Sequence, residues 1–159
     1  MIFFWAFFLV VVCFGFVLLY GAPYVPTHSR QANVALDLLD LKAGQIFYEL
    51  GCGDGKILIM ASKRGYKVIG VELNPIMYIV AKIRTLKYSN ISVKYGNFWV
   101  QDLSNADGVF VFLLDKFMPK LDKKLEAELK PGAKLASYAF KIPNKKALLD
   151  ESGVFIYKY

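Results

Sequence analysis

The chain has 159 residues and a net charge of +7, which allows one domain with an appendage and excludes a multidomain assembly. Its apolar fraction of 56% and aromatic fraction of 16% are high for a soluble protein of this size. Its single histidine, His28, and unpaired cysteines, Cys13 and Cys52, argue against a His-based metal site, a Ser-His triad or a disulfide framework.

The apolar excess has a local source. Met1 to Thr27 contains no charged side chain, and Met1 to Tyr20 is almost unbroken apolar sequence. As a helix that run would span roughly 30 Å, the thickness of a bilayer core. A remaining domain of about 130 residues could hardly bury such a helix on every side. A cleaved secretory signal is the alternative. It fits less well, because no base precedes the run and bulky Tyr20 and Pro23 flank the candidate cleavage site. Residues 1–20 are therefore expected to be a transmembrane anchor, 21–28 a linker stiffened by Pro23 and Pro26, and 29–159 the globular domain. Arg30, Lys42 and the overall positive charge favour leaving the domain on the cytoplasmic or matrix side. The same charge would be drawn to anionic headgroups, or would simply keep the domain soluble. No nucleic-acid motif or Arg-rich stripe accompanies it.

After the linker, helix and strand patterns alternate. Val34, Ala35, Leu38 and Leu41 form a helical stripe over Ser29–Leu41, closed by Gly44. Ile46–Leu50 reads as a buried strand, Lys56–Arg64 as a helix stopped by Gly65, and Lys67–Val71 as a second strand ending at Glu72. Asn74 and Pro75 are suited to cap and open a helix running to about Lys87. Ile91–Tyr95 and Gly108–Leu114 are strands, Met118–Leu129 is a helix closed at Pro131-Gly132, and Ala133–Ala139 is a fifth strand. Lys145–Leu149 and Val154–Tyr159 form a closing antiparallel pair across Asp150–Gly153. The expected fold is α/β and Rossmann-like: a mostly parallel sheet, covered on both faces, with an antiparallel carboxyl-terminal strand pair.

Open parallel sheets bind ligands at the carboxyl ends of their strands. After the first strand come Gly51-Cys52-Gly53-Asp54-Gly55. Alternate glycines permit a sharp turn and close backbone approach to a ligand. The third glycine of a dinucleotide fingerprint would fall at Lys56 and is absent, and Glu49 and Asp54 would repel a pyrophosphate. The acids suit a ligand carrying a sulfonium and an ammonium. A plain structural turn is the bland alternative. Glu72, after the second strand, can accept from both hydroxyls of a ribose, or can be a solvated strand-end acid. After the third strand, Asn97 can meet an adenine edge and Phe98 or Trp99 its face. Core packing explains either aromatic equally well.

These segments, in this order, resemble the class I S-adenosylmethionine-dependent methyltransferases. Within them the chain is similar to the small membrane-anchored protein-lysine methyltransferases that modify the adenine nucleotide carrier and the ATP synthase c-ring. The likeness covers the anchor, Pro23–Thr27, Tyr48–Lys56, Gly70–Pro75, Leu125–Gly132 and Ser137–Pro143. It implies S-adenosyl-L-methionine as cofactor. Glu49, Gly51, Cys52, Gly53, Asp54 and Gly55 would surround its methionine part, Glu72 and Leu73 its ribose, and Asn97 and Phe98 its adenine. Tyr24 and Thr27 would fold over the transferring methyl, with Tyr24 orienting the amine. The family usually has Asp at position 97 and a tryptophan soon after Ile142-Pro143, where this chain has Asn144-Lys145-Lys146. The implied activity is protein-lysine N-methylation at a membrane, without nucleic acid or metal. A lipid or small apolar acceptor, or a cofactor-binding protein without turnover, are the competing readings.

Overall fold

The computed structural model describes Met1, Phe4, Trp5, Phe8 and residues 27–159. Apart from Met1, Phe4, Trp5 and Phe8, the apolar run expected as an anchor lies outside the described residues, as do most of the linker and Tyr24 with it. Among the described residues no helix is long and apolar enough to cross a membrane.

The domain is a seven-stranded sheet flanked by helices on both faces. Its elements are α1 (Ser29–Leu39), β1 (Ile46–Leu50), α2 (Lys56–Ser62), β2 (Lys67–Glu72), α3 (Pro75–Thr85), β3 (Ile91–Tyr95), β4 (Gly108–Val111), α4 (Met118–Glu128), β5 (Lys134–Tyr138), β6 (Leu149–Glu151) and β7 (Val154–Lys158). Strand order is β3-β2-β1-β4-β5-β7-β6. The first five strands are parallel, and β7 runs antiparallel to both β5 and β6. Order reverses between β1 and β4, which opens a crevice at their carboxyl ends.

Strand alternation divides the core. Phe47, Val68, Val93, Phe110, Ala136 and Ile156 face the layer formed by α1, α2 and α3. Tyr48, Leu50, Val109, Val111, Leu135 and Tyr157 face α4 through Met118, Leu121 and Leu125. Both sides of the central strands are thus apolar, as a doubly covered parallel sheet requires. The contact of β2 with α2 and the glycine turn is close: a Cβ on Gly70 would lie 2.5 Å from Leu58 Cδ1 and 2.8 Å from Cys52 Sγ. Larger residues at position 70 would overpack the layer.

Several boundaries differ from the sequence pattern, and three have a clear consequence. Helix α1 stops at Asp40, which adopts φ 47° and donates its backbone N–H to Asp37 O, so the left-handed stop precedes Gly44. Strand β4 ends at Val111, and Phe112 to Leu114 leave the sheet. The closing hairpin turns on Ser152 (φ 53°) and Gly153 (φ 77°), a two-residue turn with both φ positive. Such a turn requires paired residues directly beside it. The first strand of the hairpin is therefore Leu149–Glu151 rather than Lys145–Leu149, with Glu151 opposite Val154.

Candidate active site

The glycine turn connects the end of β1 to the start of α2. Gly51 and Cys52 both donate backbone N–H groups to Val71 O, at 2.9 and 3.0 Å. Gly51, Gly53 and Gly55 have φ of 83°, 52° and 77°, the left-handed region where a side chain would be strained. Gly55 also lets two helices meet, since its Cβ would sit 3.2 Å from Ala81 Cβ. Cys52 points inward, away from the crevice, and is buried against Gly70. Burial, reinforced by Glu49 and Glu72, pushes its thiol well above the ordinary range.

Glu72 ends β2 and is held by the backbone on both sides. Its Oε2 accepts from Gly53 N at 2.8 Å, and its Oε1 from Asn74 N at 2.7 Å. Each carboxylate oxygen keeps further acceptor capacity. The pairing fixes the carboxylate and ties the glycine turn to the start of α3. Asn74 Oδ1 in turn caps α3 by accepting from Ile76 N and Met77 N. Leu73 lies half-buried between these two fixed groups.

Glu49 differs. It is 4% exposed, it lies between Gly70 and Phe110 in the sheet, and its Oε2 is buried with no hydrogen-bond partner among the described residues. Burial, then the nearby charges of Asp54 and Glu72, raise its pKa well above the usual carboxylate range. An orphaned acceptor at this depth is costly unless something supplies a donor or a cation. Asp54 is partly neutralised: one oxygen accepts from Lys56 N at 3.1 Å and the other pairs with Arg84 of α3.

Thr27 is 8% exposed, and its carbonyl accepts from Lys56 Nζ at 2.9 Å. That contact sets the first described residue of the domain beside the start of α2, at the carboxyl edge of the sheet. The segment that precedes α1 therefore reaches the glycine turn.

Asn97 follows β3 and is exposed. Its Oδ1 accepts from Trp99 N at 3.0 Å and caps a short 3₁₀ turn, Phe98–Val100. Phe98 is half-buried and packs on Trp99 with ring centroids 4.7 Å apart. Trp99 continues to Phe117 at 6.3 Å and carries Lys120 Nζ over its face at 4.3 Å. Phe98 thus packs on the core layer that faces α4.

The strand-end rule extends to β4 and β5, and there it reaches aromatics that the first three loops do not include. Phe112, one residue past β4, packs against Tyr138 at the end of β5 with centroids 4.8 Å apart. Phe140 stacks on Phe112 at 6.4 Å and 23°. All three are half-buried. Between Tyr138 and Phe140 the chain folds back through Ala139 at φ 68°, a strained conformation for a residue with a Cβ. Ala139 N donates to Gly153 O at 2.8 Å, and Ser137 Oγ donates to Phe140 O at 2.6 Å. Alternation along β1 and β5 puts Glu49 and Tyr138 on the same face of the sheet, the face covered by α1, and Phe112, past the end of β4, packs on Tyr138. The crevice therefore has an acidic, glycine-rich side and an aromatic side. Among the described residues no group of His, Cys, Asp and Glu side chains could hold a metal ion.

The comparisons agree with this geometry. Residues 49–148 match the family of the ANTKMT methyltransferase domain. The chain is 39% identical to a protein-lysine N-methyltransferase of Saccharolobus islandicus (strain REY15A) over 125 residues, 76% of this chain and 78% of that one. It is 32% identical to the ATP synthase c-subunit lysine N-methyltransferase of Xenopus laevis over 125 residues, 77% of this chain but 55% of the frog protein. The chain thus spans little more than half the length of that relative. Among solved structures, the RNA methyltransferase of Salinibacter ruber in complex with S-adenosyl-L-homocysteine superimposes with a TM-score of 0.77 at 27% identity, covering 85% of this chain and 92% of that one. The chain belongs to the ANTKMT methyltransferase family, and it is an S-adenosylmethionine-dependent methyltransferase of class I, Rossmann-like fold.

Proposed function

We propose that the enzyme is a protein-lysine N-methyltransferase that works at or near a membrane. The observation that carries the reading is the two-sided crevice. On one side lies Glu49, buried with an unpartnered oxygen; on the other lies the aromatic wall of Phe112, Tyr138 and Phe140.

S-Adenosylmethionine, when bound, supplies an electrophilic methyl on a cationic sulfur. Glu49 would answer its positive charge, with Gly51, Gly53 and Gly55 giving the backbone close approach and Asp54 an outer acid. Glu72, already fixed by Gly53 and Asn74, would take the ribose with Leu73 against it, while Asn97 and Phe98 would take the adenine. The fit follows from the donor set: a buried acceptor without a donor, a fixed carboxylate with free lone pairs, and glycines where a Cβ is strained.

On the acceptor side the residues have little proton chemistry to perform. An ammonium cannot attack and must lose its proton first. A half-buried aromatic surface beside a fixed positive charge disfavours the ammonium and lowers its pKa. It also excludes water and aligns a long aliphatic stem for in-line attack. Thr27, and Tyr24 just before it, would close the crevice over the amine, with Tyr24 orienting it. The names of the Saccharolobus and Xenopus relatives favour a protein lysine as that amine. Membrane placement is favoured by the apolar run Met1–Tyr20, which carries no charged side chain. The domain would face the cytoplasmic or matrix side.

Incubating the enzyme and methyl-labelled cofactor with membranes of the parent cell, followed by separation of protein, lipid and nucleic acid, tests the reading. Label in protein, released as methylated lysine on hydrolysis, is the expected result. Label confined to lipid or to nucleic acid would overturn the lysine assignment.

A further inference from the structure

Helix α3 is apolar on two opposite faces. Tyr78, Ala81 and Thr85 turn into the layer that covers the sheet. Ile76, Ile79, Ile83 and Leu86 recur at spacings of three and four residues on the other side. The last three are 54%, 63% and 78% exposed. A helix on the outside of a soluble domain ordinarily carries polar residues there. Here the polar residues are all cations. Pro75–Thr85 has no acidic side chain, Lys82 and Arg84 flank the stripe, and Lys87 follows it.

A line of branched aliphatics bordered by long basic side chains is the pattern of a helix lying in a membrane interface. The apolar edge enters the headgroup–acyl boundary, and the cations reach back to phosphates. We infer that α3 docks on an anionic lipid surface, with Ile79, Ile83 and Leu86 inserted and Lys82 and Lys87 on lipid phosphates. The inference rests on the membrane reading above.

Two observations favour lipid over a second copy or a protein partner. The first is charge. Every ionised side chain on the helix is positive, which suits a surface of uniform negative charge and would repel the same helix of another copy. Arg84 is already paired with Asp54, so Lys82 and Lys87 are left for lipid. The second is placement. Gly55 packs on Ala81, Asp54 pairs with Arg84, and Thr27 is held by Lys56. Thr27, where the described part of the domain begins, therefore lies at the edge where α3 is attached. A tether anchored there keeps α3 at high effective concentration beside the bilayer.

The full chain is reconstituted in vesicles with and without anionic lipid, carrying a spin label on Ile83→Cys or, as a control in α4, Lys123→Cys. Both are made in a Cys13→Ser background, with Cys52 protected by burial. With anionic lipid, the label at 83 is expected to be more accessible to dissolved oxygen than to an aqueous nickel chelate, and the label at 123 the reverse. Lys82→Glu with Lys87→Glu should reverse the preference at 83, because each basic side chain is worth about fivefold in attraction to such a surface. A label at 83 that stays aqueous in vesicle-bound protein overturns the docking and leaves the anchor standing. A label shielded from both reagents regardless of lipid overturns it in favour of cover by residues 1–26 or a second copy. A chain that fails to float with vesicles overturns docking and anchor together.

Discussion

The two sides of the crevice hold their residues by different means. On the β1–β2 side, backbone hydrogen bonds fix the functional groups: Glu72 is clamped by Gly53 and Asn74, and the turn itself by Val71. On the β4–β5 side, ring packing and one strained residue, Ala139, fix the shape, and the polar contacts are spent on the turn. The first side can recognise charge and hydroxyl geometry, and the second can recognise shape and exclude water. A cofactor shared by many methyltransferases calls for the first, and an acceptor that varies calls for the second. If this division is right, substitutions on one side should move cofactor affinity and those on the other should move acceptor use.

The largest effect is expected at Glu72→Ala. It removes the ribose acceptor and also strands Gly53 N and Asn74 N. With hydrogen bonds to a charged group worth about 1.5–3 kcal/mol each, cofactor affinity by calorimetry should fall about 100-fold or more. Unchanged affinity would break the comparison at its polar side.

Glu49→Gln should act in opposite directions on stability and on binding. Glu49 has a raised pKa in the folded protein, so the folded state keeps a proton that the unfolded chain has lost. Its contribution therefore makes the free protein less stable as pH rises from the unfolded carboxyl pKa through the raised folded one. The glutamine variant, which cannot ionise, should melt at a higher temperature than the parent above that window and lose this pH dependence. Cofactor affinity should fall about tenfold with the loss of a charge-assisted contact. In the parent, affinity should rise with pH as the carboxyl ionises; in the variant it should be flat. A variant that binds as tightly as the parent would show that Glu49 is a structural carboxyl.

Phe112→Ala tests the other side. Opening the wall at its centre should lower methyl transfer to protein about tenfold, mainly through the acceptor KM, with cofactor affinity within about twofold of the parent. If cofactor affinity drops as much as transfer does, the two sides are not separate.

The sequence discloses the polar side far better than the aromatic one. Gly51 to Gly55, Glu72 and Asn74-Pro75 are local signals: each sits in a turn whose chemistry is written in adjacent residues. That the first five strands run parallel follows equally from alternation and short connections, whereas their order does not. Phe112, Tyr138 and Phe140 belong to two strands far apart in the chain. Each alone is an ordinary core aromatic until β4 and β5 are set side by side. The pairing of Arg84 with Asp54 is hidden for the same reason, since a basic residue late in a helix reads as solvated until Gly55 and Ala81 bring the elements together. The hairpin boundary at Leu149 is masked by Lys145 to Leu148, whose pattern matches a strand, whereas the Ser152-Gly153 turn decides the register.

Asn97 offers the smallest and most discriminating change. The family resemblance implies an aspartate there, and here the amide Oδ1 accepts from Trp99 N. An aspartate has two acceptor oxygens, so one could keep the cap while the other accepts from the exocyclic amine of an adenine. An asparagine in the same position offers its Nδ2 donor and one neutral oxygen already shared with Trp99 N, a weaker acceptor for that edge. Because residue 97 is exposed, water competes for either arrangement and the gain is modest. Asn97→Asp should therefore tighten cofactor binding about threefold without changing the acceptor KM. Weaker binding would mean that Asn97 presents its donor to the ligand. The β3 loop would then read a ring nitrogen rather than the exocyclic amine, and the polar side of the crevice would distinguish adenine by a donor rather than an acceptor.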